Sequence, residues 1–131
     1  MTAGRVGIVA LVCIALALSG CSATSDSAAD DAATQFVRAV EQRDGDLACS
    51  LLTPAAADSA GGVAGTPCAQ AVLKLRVEGS DVSHTEVWGD AAMIRVGSDT
   101  VFLRRMGDGW RVSAAGCTYR PDRPYACDLE A

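Results

Sequence analysis

The chain has 131 residues, a formal net charge of −5 and a hydrophobic fraction of 50%. This length is enough for one small domain and too short for two separate cores. The acidic balance argues against nucleic acid as a partner, because nucleic acids bind clusters of Lys and Arg, and Lys74 is the only lysine.

The N-terminal residues have the layout of a secretory signal. Arg5 is the only charged side chain before Asp26, and it precedes an apolar run over residues 6–18. As a helix this run reaches about 20 Å, short of the roughly 30 Å hydrocarbon core of a bilayer, so it is a poor membrane span. A positive start, a short apolar run and the small residues Ser19 and Gly20 predict a signal peptide over residues 1–20.

The predicted signal ends in a cysteine-containing tetrapeptide. Leu18-Ser19-Gly20-Cys21 resembles the lipobox of bacterial lipoproteins, in which a peptidase cuts before the cysteine and the thiol carries fatty acyl chains such as palmitate. The resemblance implies cleavage between Gly20 and Cys21, lipidation of Cys21 and a location on the extracytoplasmic face of the cell membrane. Two acyl chains suffice for durable anchoring. The alternative is an ordinary secreted protein with Cys21 free or in a disulfide.

The residues after this cysteine are small, polar and acidic. The segment SATSDSAADD offers nothing apolar to bury and predicts a flexible tether over residues 21–31. The remaining residues, 32–131, are predicted to form a single domain.

Four cysteines fall within the predicted domain, an even number for an oxidising compartment. They are Cys49, Cys68, Cys117 and Cys127. Of the three pairings that four cysteines allow, Cys49–Cys68 and Cys117–Cys127 are favoured because each closes a short local loop. A zinc site is the alternative, but the chain lacks a C-x-x-C spacing and has one histidine. The sequence predicts no metal and no cofactor.

The first half of the domain carries helical patterns. Apolar residues recur at helical spacing over residues 30–43, and Gly45 is the predicted cap. A shorter helix is predicted over residues 46–52 and is ended by Pro54. The segment AAADSAGGVAG predicts a frayed helical turn and a loop, after which a third helix is predicted to open at Thr66-Pro67.

From residue 82 the period changes to two. Four segments, SHTEVW, AAMIRV, TVFLRRM and WRVSAAGC, are separated by short Gly- and Asp-containing turns. They predict an antiparallel meander. Helices followed by strands indicate an α+β domain, in which the helices pack on one face of a curled sheet of about four strands.

The order of these segments resembles a class of small domains. A helix is followed by RDGDLACSLL, a small-residue loop, PCAQAVL, and then TEVWGDAAMIRVGSDTVFLRRMGDGWRVSAAGC. This order, with GWRV in the last strand, resembles small lipoproteins of high-GC Gram-positive bacteria with a nuclear transport factor 2-like, or cystatin-like, cone domain. The likeness extends from Ala32 to Leu129. That superfamily contains isomerases, dehydratases, hydrolases and catalytically silent binding modules, so the fold does not fix the function.

The resemblance supplies one candidate catalytic pair. Enzymes with the cone fold hold an Asp or Glu base, sometimes paired with His or Tyr, in the cavity of the sheet. Strand alternation places His84 on one face with Glu86 and Trp88, so His84 oriented by Glu86 is the candidate acid–base pair. The favoured interpretation is a solvated polar pair on the sheet surface, with no catalytic residue. Trp88, Phe102 and Trp110 are interpreted as core residues, with a ligand pocket as the alternative.

A second candidate site lies between the last two cysteines. The segment CTYRPDRPYAC carries Tyr119, Arg120, Arg123 and Tyr125, and two prolines stiffen it. Tyr and Arg dominate binding hot spots, so this segment is a candidate binding loop. The favoured interpretation is a stapled C-terminal edge in which Tyr125 packs on the sheet, with the binding loop as the alternative.

Aspartates at the predicted caps and turns are interpreted as partners of local backbone N–H groups. They are Asp44, Asp46, Asp90, Asp99 and Asp108. Together, the observations predict a lipid-anchored, non-enzymatic module that binds an envelope protein or a small apolar ligand. The alternative is a small isomerase- or dehydratase-type enzyme that uses His84.

Overall fold

The computed structural model describes residues 20–62 and 65–131, with side chains from residue 26 onward. The predicted signal peptide, apart from its last residue, and the Cys21 side chain lie outside the described part. Four α-helices and one 3₁₀ turn precede five strands. The helices are α1 (Gly20–Glu41), α2 (Gly45–Ser50), α3 (Pro54–Gly61) and α4 (Cys68–Ala71), and the 3₁₀ turn is Val72–Lys74. No helix in this part of the chain is long and apolar enough to span a membrane.

Helix α1 begins ten residues earlier than the sequence pattern predicts and replaces the tether expected over residues 21–31. Ala29 and Ala33 lie one turn apart and are fully buried, on the same stripe as Phe36 and Val37. The stripe was missed because alanine contributes little to a hydrophobic pattern, although it is the best helix former. Small side chains here let the helix lie close to the sheet.

Helix α3 is a capped helix of eight residues where the sequence predicts a frayed helical turn and a loop. Thr53 is the N-cap: its Oγ1 accepts a hydrogen bond from the Ala56 N–H at 3.2 Å, and Pro54 occupies the first helical position. Proline is favoured there because that N–H has no intrahelical partner. The segment before α3 joins the sheet, since the Thr53 N–H donates to the Val112 carbonyl at 2.8 Å.

The five strands form one antiparallel sheet in sequence order. They are β1 (Val82–Trp88), β2 (Ala91–Val96), β3 (Asp99–Met106), β4 (Gly109–Arg120) and β5 (Arg123–Glu130). The α+β prediction is confirmed, with five strands rather than about four. The additional strand is β5. The segment expected as a loop between Cys117 and Cys127 forms the end of a hairpin, in which β5 pairs with β4.

The core lies between the helices and one face of the sheet. Its largest fully buried side chains are Phe36 and Val37 from α1 and Ile94, Val101, Leu103 and Val112 from the strands. These apolar side chains fill the layer between helices and sheet. Truncating a buried phenylalanine such as Phe36 to alanine lowers the free energy of unfolding by about 3–5 kcal/mol in comparable cores.

Two disulfides close the fold, with the predicted pairing. Cys49–Cys68 joins α2 to α4, and Cys117–Cys127 joins β4 to β5. In the chain-entropy view, loops of 19 and 10 residues stabilise a fold by roughly 3 kcal/mol each. Because all four cysteines are in these bridges, the alternative of a zinc site is wrong.

Candidate functional site

The β4–β5 hairpin extends beyond the rest of the sheet. Strand β4 begins at the β3–β4 turn and continues past the residues of β3 with which it pairs, so its far end projects at the opposite end of the sheet from Trp88. Pro121 and Asp122 form the two-residue turn, and Asp122 has φ 56°. Every residue from 118 to 124 is exposed. A projecting, exposed hairpin is a natural contact surface.

A buried carboxylate holds the base of this hairpin. Asp99 opens β3, is 7% exposed, and accepts hydrogen bonds from the N–H groups of Gly116 at 3.0 Å and Cys117 at 3.1 Å. Gly116 has φ 65°, and a Cβ there would lie 2.9 Å from the Asp128 side chain. Asp99 therefore fixes β4 at an irregular glycine, directly beside the Cys117–Cys127 bridge.

Burial sets the acidity of this carboxylate. Desolvation raises the pKa of Asp99 above its ordinary value of 3.8, and the charge of Asp128 adds to the rise. The N–H groups of Gly116, Thr100 and Cys117 act in the opposite direction because they favour the ionised form. The sequence predicts that Asp99 pairs with backbone N–H groups of its own turn. The structure instead pairs it with Gly116 and Cys117 on the neighbouring strand β4, and no short-range pattern reveals such a contact.

Three aromatic rings run from the sheet to the hairpin. The Tyr125 ring packs edge-to-face on Phe102 with centroids 5.2 Å apart, and on Tyr119 with centroids 5.7 Å apart. Tyr125 therefore packs on the sheet, as the structural interpretation of this segment predicts. Tyr119 is 65% exposed and ends the row. Its position is fixed from below by a partner ring, which lowers the entropy lost when a ligand contacts it.

Arg120 and Arg123 flank the turn and face each other across it. The Nε of Arg120 donates to the Pro124 carbonyl at 3.1 Å, which orders the base of its guanidinium group. Within residues 26–62 and 65–131, neither arginine forms an ion pair with a carboxylate. The structure thus places all four candidate binding residues on one hairpin, with the exposed Asp122 of the turn between the two arginines.

The candidate acid–base pair is elsewhere. The His84 Nε2 lies 2.8 Å from the Glu86 Oε1, as strand alternation predicts, and the side chains are 46% and 53% exposed. Both lie on the sheet face opposite the helices, because the alternate residue Thr85 donates a hydrogen bond to Asp30 of α1. The pair is on an open strand surface, not in an apolar cavity.

The three large aromatic residues interpreted as core occupy different places. Trp110 is buried in the core, as predicted, and the Arg105 guanidinium covers its ring at 4.6 Å. Trp88 is 51% exposed, so its assignment to the core is wrong. Phe102 lies half-buried on the outer face of the sheet, the face opposite the helices, where Tyr125 covers it. The outer face therefore carries the row of rings formed by Phe102, Tyr125 and Tyr119 and is not a plain solvated surface. The alternation of residues in β1–β3 does not reveal this row.

An open cleft of about 610 Å³ lies on the outer side of β3 and β4. Arg104, Met106 and Glu130 line it together with Pro54 at the start of α3. Trp88, Phe102 and Trp110 are not among its lining residues. Comparison with family models, with curated proteins and with solved structures finds no match for this chain.

Proposed function

We propose that this protein is a lipid-anchored binding module of the cell envelope, whose β4–β5 hairpin contacts an acidic segment of another protein. The acyl chains on Cys21 would hold it at the extracytoplasmic face of the membrane. The observation that carries the binding proposal is the hairpin itself, in which Tyr119 is supported by Tyr125 and is followed along β4 by Arg120, which pairs with Arg123 of β5.

The hairpin is already organised in the free protein. A disulfide crosses it at Cys117–Cys127, Asp99 holds its base, and ring packing on Phe102 orients Tyr125. Ordering before binding lowers the entropic cost of association, which is the main gain from a rigid contact surface. Together, these supports favour a role in recognition.

The charge of the hairpin favours an acidic partner. Among the exposed residues 118–124, Arg120 and Arg123 outweigh the single carboxylate of Asp122, so the tip of the hairpin is locally positive on a chain whose net charge is −5. Arginine pairs with carboxylates through two parallel hydrogen bonds and stacks on aromatic rings. A protein segment with Asp or Glu beside an apolar residue would satisfy both arginines and the Tyr119 face.

The binding proposal receives more support than the alternative of a His84 enzyme. His84 and Glu86 are half-exposed on an open strand, whereas an acid–base pair works best where water is excluded and its pKa can be tuned. We also infer that the domain has the nuclear transport factor 2-like cone fold, on the grounds that helices precede one antiparallel sheet and pack on one face of it. In this chain that interior is filled by residues such as Phe36 and Leu103.

A photo-crosslinking experiment in membranes of the source organism tests the proposal. A benzophenone amino acid placed at Tyr119 should form a crosslink to one partner protein, and the same probe at Leu47, an exposed position on α2, should not. Replacing Arg120 and Arg123 together by Glu should abolish the Tyr119 crosslink, while replacing both by Lys should retain much of it. Equal crosslinking from both positions, or a crosslink indifferent to the glutamates, would exclude the hairpin as the contact.

A further inference from the structure

Helix α1 fixes how the lipid anchor is joined to the domain. Three contacts set its direction relative to β1: Thr85 donates to Asp30, the Arg38 Nε lies 3.3 Å from the Ser80 Oγ, and the Gly79 N–H donates to Glu41 at 2.6 Å. Moving toward the N-terminus of α1 therefore means moving toward Trp88 at the end of β1. The helix continues to Gly20, so residue 21 is on a helix and not on a loose tether.

The length of that helix places Cys21 at one end of the sheet. Nine residues separate Asp30 from Cys21, about 14 Å at helical rise. Three residues separate Thr85 from Trp88, about 10 Å at strand rise. The backbone of Cys21 thus lies past Trp88, about level with the following turn. We call this end of the sheet, formed by Trp88, the Gly89–Asp90 turn and residues 104–109, the anchor end.

Exposed apolar and cationic side chains meet at the anchor end. Trp88 is 51% exposed and Met106 is 38% exposed. Trp88 pairs with Ala91, and Ala91 pairs with Arg104, so the three share one row on the outer face, with Met106 two residues further along β3. Arg104 is exposed and forms no ion pair within the described side chains, residues 26–62 and 65–131.

These residue types match the interface of a bilayer. Tryptophan suits the boundary between headgroups and acyl chains, methionine adds an apolar side chain beside it, and arginine is drawn to anionic headgroups. Arg104 is the cation that remains unpaired at this end, since Arg105 lies 3.9 Å from Asp90 and Arg111 pairs with Asp108.

Charge also sets the direction of tilt. The solvent side of α1 carries Asp31, which is exposed, and Asp26 lies nearer the anchor. An anionic bilayer repels these two carboxylates and attracts Arg104, so the domain should tilt toward Trp88. Glu86 and Glu130 also lie on the outer face, so the attraction is local to Arg104.

We propose that the anchor end is a docking surface for an anionic lipid bilayer, with Trp88, Arg104 and Met106 seated in the headgroup region while the β4–β5 hairpin points away. This inference rests on the lipidation of Cys21 in the proposed function. It adds the orientation: the membrane occupies one end of the sheet and the partner the other.

Fluorescence quenching by brominated lipids tests the orientation. The acylated protein is extracted from membranes and reconstituted into vesicles of brominated phosphatidylcholine, with and without phosphatidylglycerol. The wild-type protein should be quenched, more strongly with phosphatidylglycerol. Trp88→Phe should lose most of that quenching, because the remaining Trp110 is 7% exposed. Arg104→Gln should reduce the gain from phosphatidylglycerol.

A matched control moves the fluorophore to the hairpin. Tyr119→Trp in the Trp88→Phe background keeps two tryptophans and should show no added quenching. Quenching that is unchanged in Trp88→Phe, or equal from position 119, would overturn the docking surface. Flotation of the same samples separates this from the proposed function: protein that fails to float with vesicles is not anchored, whereas protein that floats without Trp88 quenching is anchored in another orientation.

Discussion

Single glycines in the turns have different tasks that the sequence does not distinguish. Gly97 and Gly89 both have positive φ, 57° and 62°, and both follow a strand. A Cβ on Gly97 would lie 2.0 Å from the Glu78 carbonyl oxygen, whereas a Cβ on Gly89 would meet open space. The chain before β1 passes directly over Gly97, and this tertiary contact cannot be read from the turn residues.

Alanine substitution at these two glycines should therefore have unequal costs. Gly89→Ala should lower the free energy of unfolding by about 1–2 kcal/mol, the cost of left-handed backbone for a residue with a Cβ. Gly97→Ala should cost at least about 2 kcal/mol more, because backbone atoms must move to admit the methyl group. Urea unfolding of both variants measures the difference. Equal costs would mean that the chain over Gly97 packs less closely than described.

Asp99 should give stability a specific pH dependence. Burial raises its pKa in the folded state above the ordinary 3.8, so the folded protein holds this proton more tightly than the unfolded chain. The stabilisation that comes from this tighter proton binding is therefore complete below pH 3.8 and is lost as pH rises through the raised pKa of Asp99. The free energy of unfolding of the wild type, minus that of Asp99→Asn, should fall with rising pH over this window.

Asp128 provides the control for the Asp99 titration. Because the charge of Asp128 contributes to the rise in the Asp99 pKa, Asp128→Asn should shift this decline to lower pH. A wild-type-minus-variant difference that grows with pH would mean that hydrogen bonds from Gly116 and Cys117 outweigh burial.

At the scale of elements, helix boundaries were harder to predict than strands. Strand alternation and glycine turns fixed four strands closely, because period and turn chemistry are local. The sequence predicts Gly45 as the cap of α1, but α1 ends at Glu41 and the left-handed residue that follows it is Arg43, with φ 62°. Gly45 lies in α2, where a Cβ would be 1.9 Å from the Ala69 carbonyl oxygen. Its role is close packing of two helices, which depends on the tertiary structure.

The N-terminal extension of α1 can be tested with neighbouring alanines. Ala29 is fully buried and Ala28 is exposed, within the segment whose composition predicts a tether. Ala29→Gln should lower the free energy of unfolding by about 2–3 kcal/mol, because a larger, polar side chain must enter the core. Ala28→Gln should change it by no more than about 0.5 kcal/mol. Identical, negligible effects in thermal or urea unfolding would restore the tether.

At the scale of the whole molecule, the two ends of the sheet carry different features. The N-terminus of α1, Trp88 and Arg104 lie at one end of the sheet, and the β4–β5 hairpin projects at the other. The sequence predicts a lipobox and the hairpin residues but not their opposition, because the direction of α1 relative to β1 depends on contacts between distant residues such as Asp30 and Thr85. If Cys21 carries the proposed lipid, this opposition leaves the hairpin free to contact a partner.

The account depends most on lipidation at Cys21, which metabolic labelling with an alkyne fatty acid measures directly. Wild-type protein and Ser22→Ala, the neighbouring control, should both take up the label. Cys21→Ala should take up none, because acyl transfer requires that thiol. Unlabelled wild-type protein, or label retained in Cys21→Ala, would contradict the lipid anchor and with it the orientation built on it.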